Sequence, residues 1–315
     1  MQNCKIPAFS VARRKSIIRQ MKKTWILYLF VLPSLVYLGV FHYAPLYGVQ
    51  IAFRNFKPHL GIWGSKWVGW KHFETFFSSY NFSSLLVNTL GLSIYQLLVS
   101  FPLPIIFALI LHYCTNRHLR LKKIIQTASY APHFISTVVL VGMCQLLFAV
   151  NGPVNLIRGV FGSAPVNFLG KAELFRPIYV WSGGWQNMGW NAILYISVLT
   201  AVSPELHEAA VVDGANKFQR VLYIDIPSIL PTAIIMLILS VGNLMSLGFE
   251  KAYLLQNDAN LGSSELISTY VYKIGIQKAQ YSYSSAIGLF NNAINFVLLI
   301  TVNRVARSLG DTSLW

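Results

Sequence analysis

Residues 203–215 read Ser203-Pro204-Glu205-Leu206-His207-Glu208-Ala209-Ala210-Val211-Val212-Asp213-Gly214-Ala215, and they lie between two long apolar segments. Ser203 is suited to cap a helix N-terminus, Pro204 fits the first helical position, and Glu205 complements the helix dipole in the first turn. Gly214 can adopt the left-handed conformation that ends a helix. The stretch therefore predicts a short capped helix, whose paired alanines leave room for another protein to close on it.

The composition is that of a protein that crosses a membrane several times. Of the 315 residues, 55% are hydrophobic and 11% are charged. Asp, Glu, Lys and Arg are absent from 24–53, 75–116, 124–157, 177–204, 226–249 and 279–303. About 20 apolar residues cross a bilayer, so each window can hold one helix. We predict an all-α integral membrane protein with six transmembrane helices at 25–50, 86–112, 126–149, 178–201, 227–248 and 284–303.

Basic residues set the predicted orientation. Segment 1–24 carries seven lysines and arginines and no acid, and four more follow the second span at Arg117, Arg120, Lys122 and Lys123. The positive-inside rule places both segments in the cytoplasm. Six spans then return the 304–315 tail to that side. The 202–226 loop has four acids and two bases, so the number of spans, rather than charge, places it in the cytoplasm.

Several classes of function find no support in the sequence. The net charge of +15 gathers in cytoplasmic clusters, which favours anionic lipid rather than nucleic acid as a partner. A GxxxxGK[ST] phosphate-binding loop is absent, so any ATP is expected on a separate subunit. Cys4, Cys114 and Cys144 have no disulfide or metal-site spacing. We therefore expect no enzyme, no metal and no cofactor in this chain.

Glu208-Ala209-Ala210, then Gly214 and Ile224-x-Ile226-Pro227, resembles the EAA loop of ABC importer permeases. Ile226 departs from the Leu that is usual there. The resemblance implies the type I importer permease class, with a cytoplasmic coupling helix between transmembrane helices 4 and 5 that docks on the ATPase. The docking residues that it implies are Glu205, Glu208, Ala209, Ala210, Asp213 and Gly214.

The resemblance also implies partners and a location. These are a dimeric ABC ATPase that binds ATP and Mg, a second homologous permease, and an external solute-binding protein. A heterodimer of permeases is implied, and a homodimer stays open. The location would be the bacterial cytoplasmic (inner) membrane, multi-pass, with both termini cytoplasmic. The implied organisation is 1–24 basic segment, 25–84 first span and external loop, 85–303 five-helix core, and 304–315 tail.

A second set of motifs is similar to one branch of the carbohydrate permeases. It comprises the 25–53 segment, Asn55-Phe56-Lys57-Pro58, Trp67-Val68-Gly69 and Ala131-Pro132-His133-Phe134-Ile135-Ser136. This branch handles larger or modified saccharides and includes the alginate importers of Gram-negative bacteria. The resemblance implies transport of an oligo- or polysaccharide, with an alginate-like acidic saccharide as the leading candidate.

Polar residues within the last three spans are candidates for a substrate path. A polar side chain facing lipid is costly, and sugars are bound by amides together with aromatic faces. The predicted path residues are Asn187, Trp190, Asn191, Ser240, Asn243, Asn291 and Asn295. Hydrogen bonding between helices is the alternative role for each amide.

Three local predictions concern charge, aromatic residues and proline. The last three spans contain no ionisable residue, so an anionic sugar would be held by amides, hydroxyls, helix ends or loop bases such as Lys171, Arg176, Lys273 and Lys278. The spacing of Trp63, Trp67 and Trp70 predicts one face of a helix. Pro102 and Pro104 predict a kink in the second span.

Other functions stay open. An ABC permease for a non-sugar solute would have the same docking loop. A membrane-embedded glycosyltransferase needs clustered carboxylates, and the cluster of Glu205, Glu208 and Asp213 is better explained by docking. An ion-coupled carrier is disfavoured by the uncharged spans.

Overall fold

The computed structural model describes residues 23–113 and 119–309, which form two separate compact units, one up to Gly69 and one from Trp70 onward. Most of the basic N-terminal segment, Cys4, Cys114, Arg117 and the tail beyond Leu309 lie outside the described residues. The predictions that concern those segments stay predictions.

The first unit contains the predicted first span and a hairpin. Helix α1 (Trp25–Leu38) continues through a π-helical turn and a 3-10 helix to Phe53. Trp25–Phe53 is long and apolar enough to cross a membrane. Strand β1 (Arg54–Lys57) then pairs antiparallel with β2 (Ser65–Trp67), and the short helix α2 (Gly61–Gly64) lies between them.

The hairpin corrects the predicted tryptophan helix. Trp63 lies in α2, whereas Trp67 ends β2, so the two do not share a helical face. The Ser65 hydroxyl accepts a hydrogen bond from the Lys57 amide at 3.0 Å and donates one to the Gly61 carbonyl at 2.6 Å. Gly61 takes a φ of +65°, which turns the chain back before the spacing of three and four can form one helix.

The second unit begins with α3 (Lys71–Phe77), followed by α4 (Phe82–Ser100) and α5 (Pro102–Tyr113). Together α4 and α5 form one candidate span, Phe82–Tyr113. The helix is interrupted at Phe101, directly before Pro102, which has no amide hydrogen to continue the ladder. The helix is thus interrupted beside the two prolines, and the kink itself stays a prediction.

The predicted third span, 126–149, is not one continuous helix. Helix α6 (Leu119–Tyr130) ends in a 3-10 turn, Ala131–Phe134, and α7 (Thr137–Leu147) leaves at 103° to the helical stretch before it. Pro132 cannot supply a helical amide hydrogen, and the Ser136 hydroxyl accepts from the Val139 amide to cap α7. The apolar run conceals a break made by a proline and a new helix cap.

Helix α8 (Pro153–Val160) leads to α9 (Ala172–Ala201), the 30-residue helix around which α4, α5 and α6 pack. Gly189 on α9 lies against α6 so closely that a β-carbon there would overlap the Ser129 carbonyl oxygen. Helix α9 carries three amide side chains and is not among the helices apolar enough to count as spans. Over the described residues there are four such helices, or five with the bent pair, so the count of six stays a prediction.

The remaining helices complete the second unit. Helix α12 packs along α16, and the short helices between them in the chain contact α4, α7, α9 and α16. Their bounds are α10 (Pro204–Val212), α11 (Lys217–Arg220), α12 (Ile226–Gly242), α13 (Phe249–Leu255), α14 (Leu261–Ser264), α15 (Ile267–Tyr272) and α16 (Tyr281–Leu309).

Candidate functional site: a capped surface helix and a polar cavity

Helix α10 has the caps that its sequence predicts. Pro204 occupies the first turn, and the Ser203 hydroxyl accepts from the Glu205 amide at 3.3 Å. At the other end, the Ala215 amide donates to the Ala210 carbonyl at 2.8 Å, and Gly214 has a φ of +81°. The Gly214 amide donates to the Val211 carbonyl at 3.0 Å, which completes a Schellman motif. The predicted helix and its glycine stop are confirmed.

The outer face of α10 is open to another molecule. Glu205, Glu208, Ala209, Asp213 and Gly214 are exposed, and Ala210 is half-buried. Three apolar side chains are exposed beside them, namely Leu206, Val211 and Val212, the last with 87% of its surface accessible. An exposed patch of mixed acids, small residues and valines is suited to a protein partner. Docking of an ATPase stays a prediction for these residues.

The inner side of α10 is held by a buried carboxylate. Asp225, which is fully buried, accepts a hydrogen bond from the Tyr113 hydroxyl at 2.6 Å. Its other oxygen lies 3.4 Å from His207 Nε2, without hydrogen-bond geometry, and the His207 ring lies 5.9 Å from that of His112. The two histidines and Asp225 bring three metal-ligand atoms within 4.8 Å of one another. Their contacts join α10 to the ends of α5 and α12.

Two neighbouring cavities lie in the helix bundle. The larger, about 530 Å³, is an open cleft lined by α4, α5, α9 and α12, and the smaller, about 270 Å³, extends from it toward α7 and α13. Both are lined by Gln96, Ser100, Pro104, Asn191 and Gly248. The amide side chains that line one or both are Gln96, Gln186, Asn187, Asn191 and Asn243. The space is therefore rich in groups that both donate and accept hydrogen bonds.

Five of the seven predicted path residues line these cavities. Trp190, Asn191, Ser240 and Asn243 line the larger, and Asn187 lines the smaller. The side chains of Ser240 and Asn243 also donate to backbone carbonyls one turn earlier, at 2.7 Å and 3.1 Å. These five residues face open space within the bundle, and the role of all seven in a substrate path stays a prediction.

Asn291 and Asn295 line neither cavity. Asn295 accepts from the Met245 amide at 2.8 Å and donates to the Ser246 hydroxyl at 2.9 Å, while Asn291 donates to the Met245 carbonyl at 3.2 Å. Both side chains thus stabilise the turn that follows α12. They have the alternative role given above for each amide, which is hydrogen bonding between structural elements. The turn they hold supplies Asn243 and Ser246 to the cavity wall.

The turn before α7 positions the aromatic face of the site. The His133 ring stacks on Trp190 with centroids 4.4 Å apart and planes at 5°, and Phe134 meets the same indole edge-on at 5.5 Å. His133 Nδ1 lies 2.9 Å from Asn187 Oδ1. His133 was not among the predicted path residues. The sequence motif that contains His133 could have identified it, because this motif breaks the third span. The break brings the His133 ring against α9.

Lys251 is a further residue of the site that the sequence did not predict. It lies on α13, lines the smaller cavity, and has only 9% of its surface accessible. Its ammonium donates to the Tyr179 carbonyl at 2.6 Å and lies 4.7 Å from the centre of the Tyr179 ring. Ala252 and Leu255, its neighbours on the short helix, are buried as well. That apolar setting was a signal that the lysine faces inward.

Two of the loop bases considered for an anionic sugar lie elsewhere and have partners. Lys273 forms an ion pair with Glu265 at 3.0 Å, and Arg176 donates to Asn88 at 3.1 Å. Neither lines the two cavities. The prediction that they hold an anion therefore gains no support from their position.

Burial lowers the pKa of Lys251 to about 8 from its ordinary 10.5, and Cys144 opposes the shift. Between these values the unfolded chain binds the proton more strongly than the folded chain, so stability rises with pH. We expect the melting temperature of the detergent-purified protein to rise from pH 8 to pH 10 relative to that of Lys251→Met, which lacks the amine. Parallel melting curves of the two proteins against pH would contradict this expectation.

Comparison with known proteins places these features in a family context. Residues 86–311 match the family described as binding-protein-dependent transport system inner membrane component. The chain is 39% identical to the polygalacturonan/rhamnogalacturonan transport system permease protein YteP of Bacillus subtilis strain 168, over 98% of this chain and 95% of the relative. It is 38% identical to protein LplB of the same organism, over 98% and 97%.

Solved structures agree with the fold. A crystal structure of a bacterial ABC transporter involved in the import of the acidic polysaccharide alginate contains a chain that superimposes with a TM-score of 0.86. The two are 34% identical, and the alignment covers 93% of this chain and 99% of the other. A complex of an alginate ABC transporter with a periplasmic protein bound to alginate pentasaccharide gives the same TM-score and identity.

Proposed function

The chain belongs to the family of binding-protein-dependent transport system inner membrane components, and from this membership we propose that it is the saccharide-conducting permease subunit of an ATP-driven importer. It has the type I ABC importer permease fold and is an integral membrane protein. Relatives such as YteP are transport system permease proteins, which are not themselves enzymes. ATP and Mg would accordingly be bound by a separate ATPase.

The side chains that line the two cavities are the observation that supports a saccharide as the substrate. Sugar hydroxyls need groups that donate and accept at short range, and the C–H faces of sugar rings need a flat apolar surface. Gln96, Asn187 and Asn191 supply the first, and Trp190, held by His133, supplies the second. We place the substrate path along this wall of α9, facing a second permease subunit.

The leading candidate is an acidic oligo- or polysaccharide. The relative YteP is described as a polygalacturonan/rhamnogalacturonan permease, and the similar solved structure imports alginate. A permease for a neutral saccharide would have the same amides and indole, so charge is the property that remains to be tested. A non-sugar solute is the other outcome that the experiment below can give.

The mechanism proposed is alternating access driven through α10. The ATPase dimer would close on Glu205, Glu208, Ala209, Ala210, Asp213 and Gly214 in the cytoplasm. The buried Asp225, in contact with both Tyr113 and His207, would carry the motion of α10 to α5 and α12. ATP shifts the equilibrium between the inward- and outward-open permease only through its preference for the closed ATPase dimer. The contacts of Asp225 would therefore determine how strongly ATP binding is coupled to the opening of the permease. The N- and C-terminal segments would lie on the same side as α10.

The test is ATPase activity of the complex in liposomes, assembled with the ATPase, the second permease and the binding protein. We expect binding protein loaded with an oligosaccharide to stimulate hydrolysis several-fold over the unloaded binding protein. Neutral and uronic-acid pentasaccharides, compared at equal occupancy, identify the class. An assembled complex that no saccharide stimulates would overturn the saccharide assignment and leave the permease family in place.

A further inference from the structure

We propose that Lys251 is the anchor for a substrate carboxylate, and that the smaller cavity is a uronate-binding subsite of the transport path. The inference rests on the proposed saccharide function and deepens it. Lys251 would supply the ionic contact to the substrate, since the other polar side chains that line the two cavities are uncharged.

Charge within the cavities is the first support. Among the described residues that line either cavity, Lys251 is the one with a formal charge. No carboxylate of the described residues forms an ion pair with it. A buried ammonium without a counter-ion is costly, and an anion that enters the cavity would offset that cost. The site is therefore selective for negative charge by its composition.

The geometry of the ammonium is the second support. It has three donors, and one of them is satisfied by the Tyr179 carbonyl at 2.6 Å. Gly183, one turn further along α9, carries no side chain beside the ammonium, and a β-carbon at that position would lie 2.9 Å from Nζ. The ammonium therefore packs closely against Gly183, where only a residue without a side chain leaves room for it, and Lys251 lines the smaller cavity. Its two other donors are available to carboxylate oxygens.

The groups around the lysine suit the rest of a sugar acid. Gln186 and Asn187 line the same cavity, and Asn191 and Gln96 line both cavities. A uronate whose carboxylate meets Lys251 would therefore reach amides with its hydroxyls and have an open route into the larger cavity beside Trp190. Charge-assisted hydrogen bonds are roughly twice as strong as neutral ones, so this single contact can separate acidic from neutral saccharides.

The experiment measures equilibrium binding to the purified permease–ATPase complex. Two probes are compared, a pentagalacturonate and its fully methyl-esterified form, which has the same length and hydroxyls without the charge. We expect Lys251→Gln to weaken pentagalacturonate about tenfold or more and to leave the ester within about twofold of wild type. Lys251→Arg, which keeps the charge, should restore part of the preference. Lys123→Gln removes an exposed lysine elsewhere and should change neither.

The outcomes separate this proposal from the one on which it rests. Equal binding of pentagalacturonate by wild type and Lys251→Gln would overturn the anchor and leave saccharide transport standing. An equal loss of both probes would also overturn it, because it would show a structural role for the lysine. A wild-type complex that binds neither probe would overturn the uronate subsite, whereas the saccharide function is overturned by the liposome assay if no saccharide stimulates the ATPase.

Discussion

Replacing Gly214 with Asp is expected to abolish coupled uptake, reducing ATP-driven transport at least tenfold while the protein still inserts and folds. Gly214 has a φ of +81°, where a residue with a β-carbon pays about 1–2 kcal/mol. Within this chain a side chain has space, since a β-carbon at 214 meets nothing within 4 Å. The substitution is therefore expected to alter the C-terminal end of α10 and the exposed surface that would bind the ATPase.

A matched control exists on another loop. Gly162 ends α8 with the same motif, since the Ser163 amide donates to the Arg158 carbonyl and Gly162 has a φ of +74°. It is exposed and a β-carbon there also meets nothing within 4 Å. Gly162→Asp carries the same backbone cost away from the docking surface, so its transport should stay near wild type. Transport that is unimpaired in Gly214→Asp, or equally lost in both variants, would contradict a docking role for α10.

The capped helix could be predicted from the sequence because its causes are local. A hydroxyl, a proline and a glycine at fixed spacing specify where a short helix begins and ends, whatever packs against it. The same holds for the amides of α9, since helical periodicity alone puts Asn187, Trp190 and Asn191 on one face. Five of the seven path residues consequently line the cavities that the bundle forms.

Features that depend on long-range packing could not be predicted in this way. Lys251 follows Glu250 just after the charge-free segment 226–249, which is the position of a residue at the end of a span. In the structure its ammonium instead points inward from α13 and donates to the carbonyl of Tyr179, 72 positions earlier. Asn295 is a polar residue within a span, as a path residue would be, but its side-chain oxygen accepts a hydrogen bond from the Met245 amide. Hydropathy also conceals the 103° bend of the third span, because both halves are apolar. For Lys251 and Asn295, a neighbour distant in sequence decides what the side chain does, whereas the bend of the third span has a local cause in Pro132 and the Ser136 cap.

Close contact between α9 and α6 makes Gly189 the position where the smallest change should destabilise the fold most. A β-carbon at 189 would overlap the Ser129 carbonyl oxygen and lie 2.8 Å from the Ser129 β-carbon. A backbone oxygen cannot rotate away, so Gly189→Ala must push the two helices apart. Overpacking of this kind typically costs about 1–3 kcal/mol and occasionally more, and we expect the upper end of that range. The shift would also displace the neighbouring Trp190 from His133.

Gly142→Ala is the matched control for this prediction. Gly142 lies within α7, and a β-carbon there meets nothing within 4 Å. Alanine favours a helix over glycine by about 1 kcal/mol, so this variant should melt at or above the wild-type temperature. Gly189→Ala gains the same helical preference and loses more through overlap, so it should melt below both proteins and lose saccharide-stimulated ATPase activity. A melting temperature equal to that of Gly142→Ala would mean that α6 and α9 are not held in this close contact.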